Sequence, residues 1–248
     1  MKCSRCLLHL LQIKAMSKII MIGNQKGGVG KSQISIMIAT AFSQAPFNLK
    51  TCIIDLDNQK SIIRSRNFDL RAYQVDTVPF DVLDYSITDL QANIAALDKE
   101  YNLIFIDTAG KLDTTQPIEM QEITKALMYV DFVFIPFVAG NHILEATTDY
   151  FRFIRQVQQI RAIQSRNLRA YGFINMYRSR SRSNAFLNED LEHLKQSESL
   201  LLMHNSLNDY SLFRESDTIT SIYAPLSNDS AKQNFTQFCN ELLNIIQS

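Results

Sequence analysis

The sequence contains no tryptophan and only seven glycines, five prolines and four cysteines among its 248 residues. Average glycine usage of about 7% would give roughly 17 glycines in a chain of this length. Four of the seven lie within one stretch of eight residues, namely Gly23, Gly27, Gly28 and Gly30. Because glycine tolerates backbone angles that other residues avoid, this concentration indicates one segment of unusual backbone geometry.

Net charge and long apolar runs are also absent. The 25 Lys+Arg residues balance 25 Asp+Glu residues, and hydrophobic residues make up 46% of the chain. This composition excludes an intrinsically disordered chain, which would have fewer apolar residues and a larger net charge. It also argues against a protein that is basic over its whole surface. No apolar run reaches the ~18 residues that a membrane span needs.

The N-terminal segment superficially resembles a secretory leader, because residues 1–15 combine basic side chains with a short apolar run. The run is interrupted by His9 and Gln12, and no small-residue cleavage site follows it. Met16 directly precedes a predicted strand. We therefore expect residues 1–15 to be a dispensable extension, or to precede a true start at Met16, and residues 16–248 to form a single domain.

The four cysteines form no complete metal site. Cys3 and Cys6 make a CxxC pair, but no second cysteine pair or suitably spaced histidine pair accompanies it. Cys52 and Cys239 lie far apart, in a predicted strand and a predicted helix. Because unpaired cysteines are typical of a reducing compartment, we expect a cytoplasmic protein.

Short apolar runs alternate along the chain with segments of helical spacing. The predicted strands are Lys18–Gly23, Thr51–Leu56, Val75–Phe80, Tyr101–Asp107, Phe132–Val138, Ala170–Asn175 and Leu200–His204. The predicted helices are Lys31–Ala45, Ser61–Tyr73, Thr88–Lys99, Pro117–Met128, Asn141–Ile163, Ala185–Lys195 and Ser230–Ile246. Such alternation, with continuously apolar strands, predicts an α/β fold in which a mostly parallel twisted sheet has helices on both faces.

The glycine cluster, GNQKGGVGKS, lies between the first predicted strand and the first predicted helix. This context is the one in which a glycine-rich loop binds phosphate. Successive backbone N–H groups form a concave anion site, to which the helix N-terminus adds partial positive charge. Lys31 is placed to reach the β- and γ-phosphates of a nucleotide, and the Ser32 hydroxyl to bind Mg²⁺. The sheet is thus predicted to be of the P-loop NTPase type.

The string KGGVGKS departs from the plain P-loop pattern, since an extra lysine, Lys26, precedes the paired glycines. It resembles the deviant Walker A motif of the ParA/MinD family of P-loop ATPases. The resemblance implies ATP and Mg²⁺ as cofactors, and a homodimer in which Lys26 reaches the partner subunit's ATP. It also implies the ATP-binding residues, which are Lys26, Gly27, Gly28, Val29, Gly30, Lys31, Ser32 and Gln33. Gln33 stands where the family usually has a hydroxyl residue, which contacts the α-phosphate. In this chain that contact is therefore lost or replaced.

Two acidic strand ends extend the resemblance. Asp55-Leu-Asp57-Asn-Gln resembles the family's DxDPQ element, and Asp107 in LIFIDTAG resembles a Walker B acid. By this resemblance Asp57 positions the attacking water, whereas Asp55 and Asp107 join Ser32 in the Mg²⁺ shell. Acids that merely face solvent at strand ends remain the alternative. Asn175 ends another strand and resembles the family's adenine-reading asparagine, with a turn-forming role as its alternative.

The zero net charge conceals a strongly basic segment. From residue 150 to residue 188 the chain has no Asp, Glu or Lys but has eight arginines, for a formal charge of +8. These are Arg152, Arg155, Arg161, Arg166, Arg169, Arg178, Arg180 and Arg182. Arginine contacts phosphates independently of base sequence. By resemblance to the family, which binds DNA through basic residues of its C-terminal half, we expect this arginine segment to form the DNA surface. The expected DNA contacts are Arg178, Arg180, Arg182 and, beyond the segment, Arg214, with a solvated surface or an acidic protein partner as alternatives.

These features predict a ParA-type DNA partition or positioning ATPase. ATP would close a homodimer that binds non-specific DNA on the nucleoid, and a ParB-like partner would stimulate slow hydrolysis and release. A MinD-like membrane-cycling ATPase and a ParA-like regulator of conjugative transfer are the alternatives. The C-terminal segment carries Lys232 as its only base, so we expect it to pack on the core rather than on a membrane.

Overall fold

The computed structural model describes residues 16–108, 117–163, 167–222 and 229–248. Its six strands in these ranges are β1 (Lys18–Ile22), β2 (Thr51–Asp55), β3 (Asp81–Asp84), β4 (Leu103–Asp107), β5 (Phe132–Phe137) and β6 (Arg169–Ile174). The helices in the same ranges are α1 (Lys31–Ser43), α2 (Ser61–Tyr73), α3 (Ile87–Glu100), α4 (Pro117–Leu127), α5 (Asn141–Ile163), α6 (Arg182–Glu198), α7 (Ser211–Arg214) and α8 (Asp229–Gln247).

All six strands run parallel in one sheet, in the order β3-β2-β4-β1-β5-β6. The register pairs Asp55 at the end of β2 with Asp107 at the end of β4. Strand β1 lies beside β4, so the loop that follows β1 opens at the same edge of the sheet. Ligands of open parallel sheets bind at this carboxyl edge, where the order of the strands reverses.

Helices cover both faces of the sheet because alternate strand residues point to opposite sides. On one face, Ile20 and Phe105 belong to a core formed with α1 and α8. On the other face, Met21 and Ile106 belong to a core formed with α3, α4, α5 and α6. The predicted α/β class, a parallel sheet flanked on both faces, is confirmed.

Two predicted strands are wrong. Val75–Phe80 is not a strand, and the edge strand β3 begins only at Asp81. The segment contains Pro79, which cannot donate a ladder hydrogen bond, and the Phe80 carbonyl accepts instead from the Arg66 side chain. Leu200–His204 pairs with the sheet through one isolated bridge at Leu202. The short helix α7 lies outside the predicted helices.

Residues 1–15, including Cys3 and Cys6, lie outside the described residues, so their predicted dispensability and the single-domain boundary stay predictions. Within the described ranges, no helix combines the length and the apolar character that crossing a membrane requires.

Candidate nucleotide site

The glycine-rich loop joins β1 to α1 with two glycines in left-handed backbone conformations. Gly28 has φ +79° and Gly30 has φ +90°, values that side-chain-bearing residues rarely adopt. A Cβ on Gly30 would also come within 2.9 Å of the Asn175 amide nitrogen. The Gly30 carbonyl accepts the first helical hydrogen bond, from the Ile34 N–H. The loop therefore ends directly on the N-terminus of a 13-residue helix, which is the geometry of an anion site.

The loop is held from behind by side chains that the sequence analysis did not single out. Asn24 is buried, and its amide donates to the Pro136 carbonyl and to the Thr147 hydroxyl. Its side-chain oxygen accepts the Lys26 backbone N–H. The Gln25 amide donates to the Ala146 carbonyl. These contacts fix the loop against β5 and α5, and no local sequence signal distinguishes them from ordinary turn residues.

Lys31 is buried at the start of α1, with Nζ 3.4 Å from the Lys26 carbonyl oxygen. Burial lowers the pKa of Lys31, whereas the nearby carboxylates of Asp107 and Asp57 oppose that shift. The two carboxylates offset only part of the cost of burying the Lys31 ammonium group. The ammonium group is therefore suited to donate charge-assisted hydrogen bonds to phosphate oxygens.

Ser32 and Asp107 form the part of the site that fits a magnesium ion. The Ser32 hydroxyl donates to Asp107 Oδ2 over 2.8 Å, while the buried Oδ1 atom has no hydrogen-bond partner in the described structure. Burial raises the pKa of Asp107 to about 7, against the hydrogen bond from Ser32. An unpartnered buried carboxylate oxygen beside a hydroxyl matches the sparse protein ligand set that Mg²⁺ uses when phosphates and waters complete its shell. The residues present therefore fit the ion.

Asp55 and Asp57 occupy the same edge but have different surroundings. Asp55 is fully buried, its Oδ1 accepts the Asp57 N–H, and its Oδ2 accepts the N–H groups of Ile62 and Ile63. Burial raises the pKa of Asp55, and those backbone hydrogen bonds oppose the rise. Asp55 thus anchors the turn that carries Asp57, and its predicted place in the Mg²⁺ shell stays a prediction. Asp57 accepts the Gln59 N–H through Oδ1.

A cavity of about 660 Å³ opens over the loop. Its walls come from the glycine-rich loop, the start of α1, the turn after β2 and the start of α2, and include Lys31, Ser32 and Asp57. The structure therefore brings most of the predicted phosphate and water-positioning residues to one cavity. Lys26 is exposed at the loop, and its ammonium has no hydrogen-bond or ion-pair partner in the described part of the chain.

A smaller, mainly apolar cavity of about 210 Å³ adjoins the loop on the other side of α1. Its lining includes Gly30, Asn175, Met176, Tyr210 and Phe213. The Asn175 amide donates to the Val29 carbonyl over 2.9 Å, so this side chain contacts the phosphate loop directly. Its predicted contact to adenine stays a prediction.

Gln33, which departs from the family pattern, forms hydrogen bonds with a distant segment of the chain. Its amide donates to the Ser216 carbonyl over 2.8 Å and also contacts the Ser216 hydroxyl. The residue that replaces the usual hydroxyl therefore joins the start of α1 to the segment that follows α7.

Some side chains of the arginine segment are exposed to solvent, whereas others bind groups of the protein itself. Arg161 is a correction to the predicted surface, because it is 1% exposed and donates to the carbonyls of Leu127 and Val130. Arg152 and Arg155 bind Glu198 at the end of α6. Arg166 lies outside the described residues.

The four arginines predicted to contact DNA are all exposed. Arg178 and Arg214 both form ion pairs with Asp209, which the sequence analysis did not identify. Arg180 lies in the turn before α6, and Arg182 begins that helix with its guanidinium 5.5 Å from the centre of the Phe186 ring.

Comparison with known proteins finds a family model that covers most of the chain. The family model described as the CobQ/CobB/MinD/ParA nucleotide binding domain matches residues 20–215. The septum site-determining protein MinD of Buchnera aphidicola is 32% identical over 124 residues, which span 48% of this chain and 43% of that protein. The match therefore covers less than half of that relative's length.

Three solved structures illustrate the likeness of fold. A plasmid partition protein from Borrelia burgdorferi is 22% identical with a TM-score of 0.60, covering 93% of this chain and 99% of that one. A Cyanothece McdA variant in complex with ATP is 13% identical with a TM-score of 0.66, covering 91% and 96%. Cobyrinic acid a,c-diamide synthase from Mycobacterium smegmatis, with bound ADP and magnesium, is 16% identical with a TM-score of 0.62, covering 94% and 96%.

Proposed function

The chain belongs to the CobQ/CobB/MinD/ParA nucleotide-binding family, and from this premise we propose that it is an ATP-driven DNA partition or positioning switch of the ParA type. The observation that carries the proposal is the pairing of Ser32 with Asp107 beside the buried Lys31 at the glycine-rich loop. A stable fold has no need of a buried carboxylate oxygen without a partner, whereas a Mg²⁺-nucleotide site does. Several of the solved structures to which this chain is similar are partition proteins, which supports the proposed cellular role.

ATP phosphates would bind to the backbone N–H groups of residues 27–32, with Lys31 on the β- and γ-phosphate oxygens. Ser32 and Asp107 would hold Mg²⁺ beside these phosphates. When bound, the ion neutralises charge that develops on the phosphate oxygens during transfer. The adenine ring would enter the smaller apolar cavity, beside Asn175 and Phe213.

Hydrolysis is assigned to Asp57, which lines the larger cavity on a turn that Asp55 holds in place. Asp57 would orient the water that attacks the γ-phosphate. The exposed Lys26 would cross to the ATP of the partner subunit, so that the complete site forms only in an ATP-bound homodimer. Such an arrangement makes dimerisation depend on ATP and makes release depend on hydrolysis.

The DNA surface is assigned to the exposed arginines Arg178, Arg180, Arg182 and Arg214. Arg214 also lines the smaller cavity, so the proposed DNA surface and the proposed adenine site share a wall. DNA contact would be independent of base sequence, because phosphate contacts carry no sequence information. A ParB-like activator would stimulate hydrolysis and so release the dimer from the nucleoid.

DNA binding measured by fluorescence anisotropy with ATP, with ADP and without nucleotide tests this proposal. We expect wild-type protein to bind random-sequence DNA only with ATP, and the triple variant Arg178→Ala, Arg180→Ala, Arg182→Ala to lose that binding. The variant must keep its ATP affinity, which serves as the control for folding. Binding that ignores the nucleotide, or no binding in any state, would sink the proposal.

A MinD-like membrane cycle is the second candidate, favoured by the match to a septum site-determining protein. One feature of α8 argues against it. Phe235, Phe238 and Leu242 on this helix are fully buried in the core and unavailable to a lipid surface. Flotation with anionic vesicles distinguishes the two candidates, since ATP-dependent flotation without DNA binding would favour the membrane cycle.

A further inference from the structure

A single carboxylate joins two of the four arginines that are predicted to contact DNA. Asp209 Oδ1 lies 2.8 Å from Arg214 Nη1, and Oδ2 accepts a hydrogen bond from Arg178 Nε over 2.5 Å with a further contact from Arg178 Nη2. The Asp209 side chain is only 6% exposed, whereas those of Arg178 and Arg214 are 67% and 59% exposed. The acid thus lies beneath two guanidinium groups that face solvent.

The fold fixes the backbone on both sides of this carboxylate. The Tyr177 N–H donates to the Leu207 carbonyl, and the Asp209 N–H donates to the Tyr177 carbonyl. These bonds align the residue before Arg178 with Asp209 itself. The Arg178 carbonyl then accepts the Ser181 N–H in the turn before α6. Main-chain contacts between two segments about thirty residues apart in sequence therefore place Arg178 beside Asp209.

Each guanidinium keeps donors that Asp209 does not use. A guanidinium has five N–H donors in a planar fork, and neither guanidinium group has a partner other than Asp209 in the described part of the chain. An arginine whose side chain is already ordered loses less rotamer entropy when it binds a phosphate. Arg180, by contrast, has no side-chain partner in the same ranges.

We propose that Asp209 is a positioning residue that holds Arg178 and Arg214 as a preformed clamp for one backbone phosphate of DNA. The clamp keeps a net charge of +1 after Asp209 is counted. This inference rests on the proposed DNA binding and adds to it a specific contact point. It also predicts that neutralising Asp209 weakens DNA binding, whereas counting charges alone predicts that binding becomes tighter.

The variant Asp209→Asn tests the clamp, because it removes one negative charge while keeping the size of the side chain. Charge counting alone predicts tighter DNA binding. The clamp predicts DNA binding about tenfold weaker at saturating ATP, comparable to the loss of one charge-assisted hydrogen bond. It also predicts that the slope of log affinity against log salt falls by about one. Asp190→Asn, the same change at an exposed site on α6, is the matched control and leaves affinity unchanged or slightly tighter.

Arg178→Lys and Arg214→Lys give a second test that does not disturb the buried acid. Lysine keeps the charge but lacks the planar fork, so both variants should lose affinity about as much as Asp209→Asn. Equal or tighter DNA binding by Asp209→Asn, or full binding by both lysine variants, would overturn the clamp while leaving the proposed function intact. Absence of DNA binding by the wild-type protein would overturn both, and thermal melts of every variant separate misfolding from these outcomes.

Discussion

Replacing Asp107 with asparagine should stabilise the nucleotide-free protein at pH 8. The pKa of this buried carboxyl rises from 3.8 to about 7 in the folded protein, and a shift of that size corresponds to about 4 kcal/mol of stability lost on ionisation. Asparagine avoids the buried charge and keeps an acceptor for Ser32. Its amide, however, places donors where Oδ1 now has no partner, which costs about 1–3 kcal/mol.

The net gain for Asp107→Asn is therefore about 2 kcal/mol, or about 4–8 °C in melting temperature for a chain of this size. The sign of the pH dependence follows from the raised pKa. The folded state binds the Asp107 proton more tightly than the unfolded state, so the contribution of Asp107 to wild-type stability falls as pH rises from about 4 to about 7 and is level above that. The advantage of the variant should shrink as the pH is lowered through this window.

Thermal unfolding at pH 5, 7 and 8 measures this effect, with Asp76→Asn as a control at an exposed carboxylate. ATP with Mg²⁺ should reverse the order of stability at pH 8, because the wild-type carboxylate then has a cation nearby. A variant that is less stable than the wild type at pH 8 without ligand, or a difference that ignores pH, would refute the reasoning.

Further predictions concern the phosphate loop and the water-positioning acid. Lys31→Ala should reduce ATP affinity at least a hundredfold by isothermal titration calorimetry without unfolding the protein, and unchanged affinity would contradict its role. Asp57→Ala should bind ATP normally but hydrolyse it at least a hundredfold more slowly, and normal turnover would refute the assignment. Gly30→Ala should weaken ATP binding more than Gly28→Ala, because a Cβ at Gly30 would meet Asn175 whereas the space around Gly28 is open. Equal losses would show that the close approach is unimportant.

The strands of the sheet centre could be predicted because they are buried on both faces and therefore read as unbroken apolar runs. Strand β3 could not. It pairs only with β2 at the edge of the sheet, and its sequence, DVLD, is short and half-buried with an acid at each end. The neighbouring segment Val75–Phe80 has more apolar character but contains Pro79, so apolar content alone selected the wrong residues.

The phosphate site was predictable because its chemistry lies within ten consecutive residues, and parallel strands bring their acidic ends to the same edge. Contacts between segments that are distant in sequence could not be predicted. The bond from Gln33 to Ser216 joins residues 183 positions apart. Arg161 was assigned to the surface because charge predicts exposure, yet its partners are backbone carbonyls that leave no trace in sequence.

The central claim is that ATP hydrolysis releases the protein from DNA. The most direct test loads wild-type protein and Asp57→Ala onto labelled DNA with ATP, adds excess unlabelled DNA without free ATP, and follows dissociation beside phosphate release. Rebinding is blocked by the unlabelled DNA, so the decay reports release alone. The account predicts that wild-type protein leaves DNA at the rate of hydrolysis, whereas Asp57→Ala stays bound at least tenfold longer. Equal dissociation rates for the two proteins would contradict it.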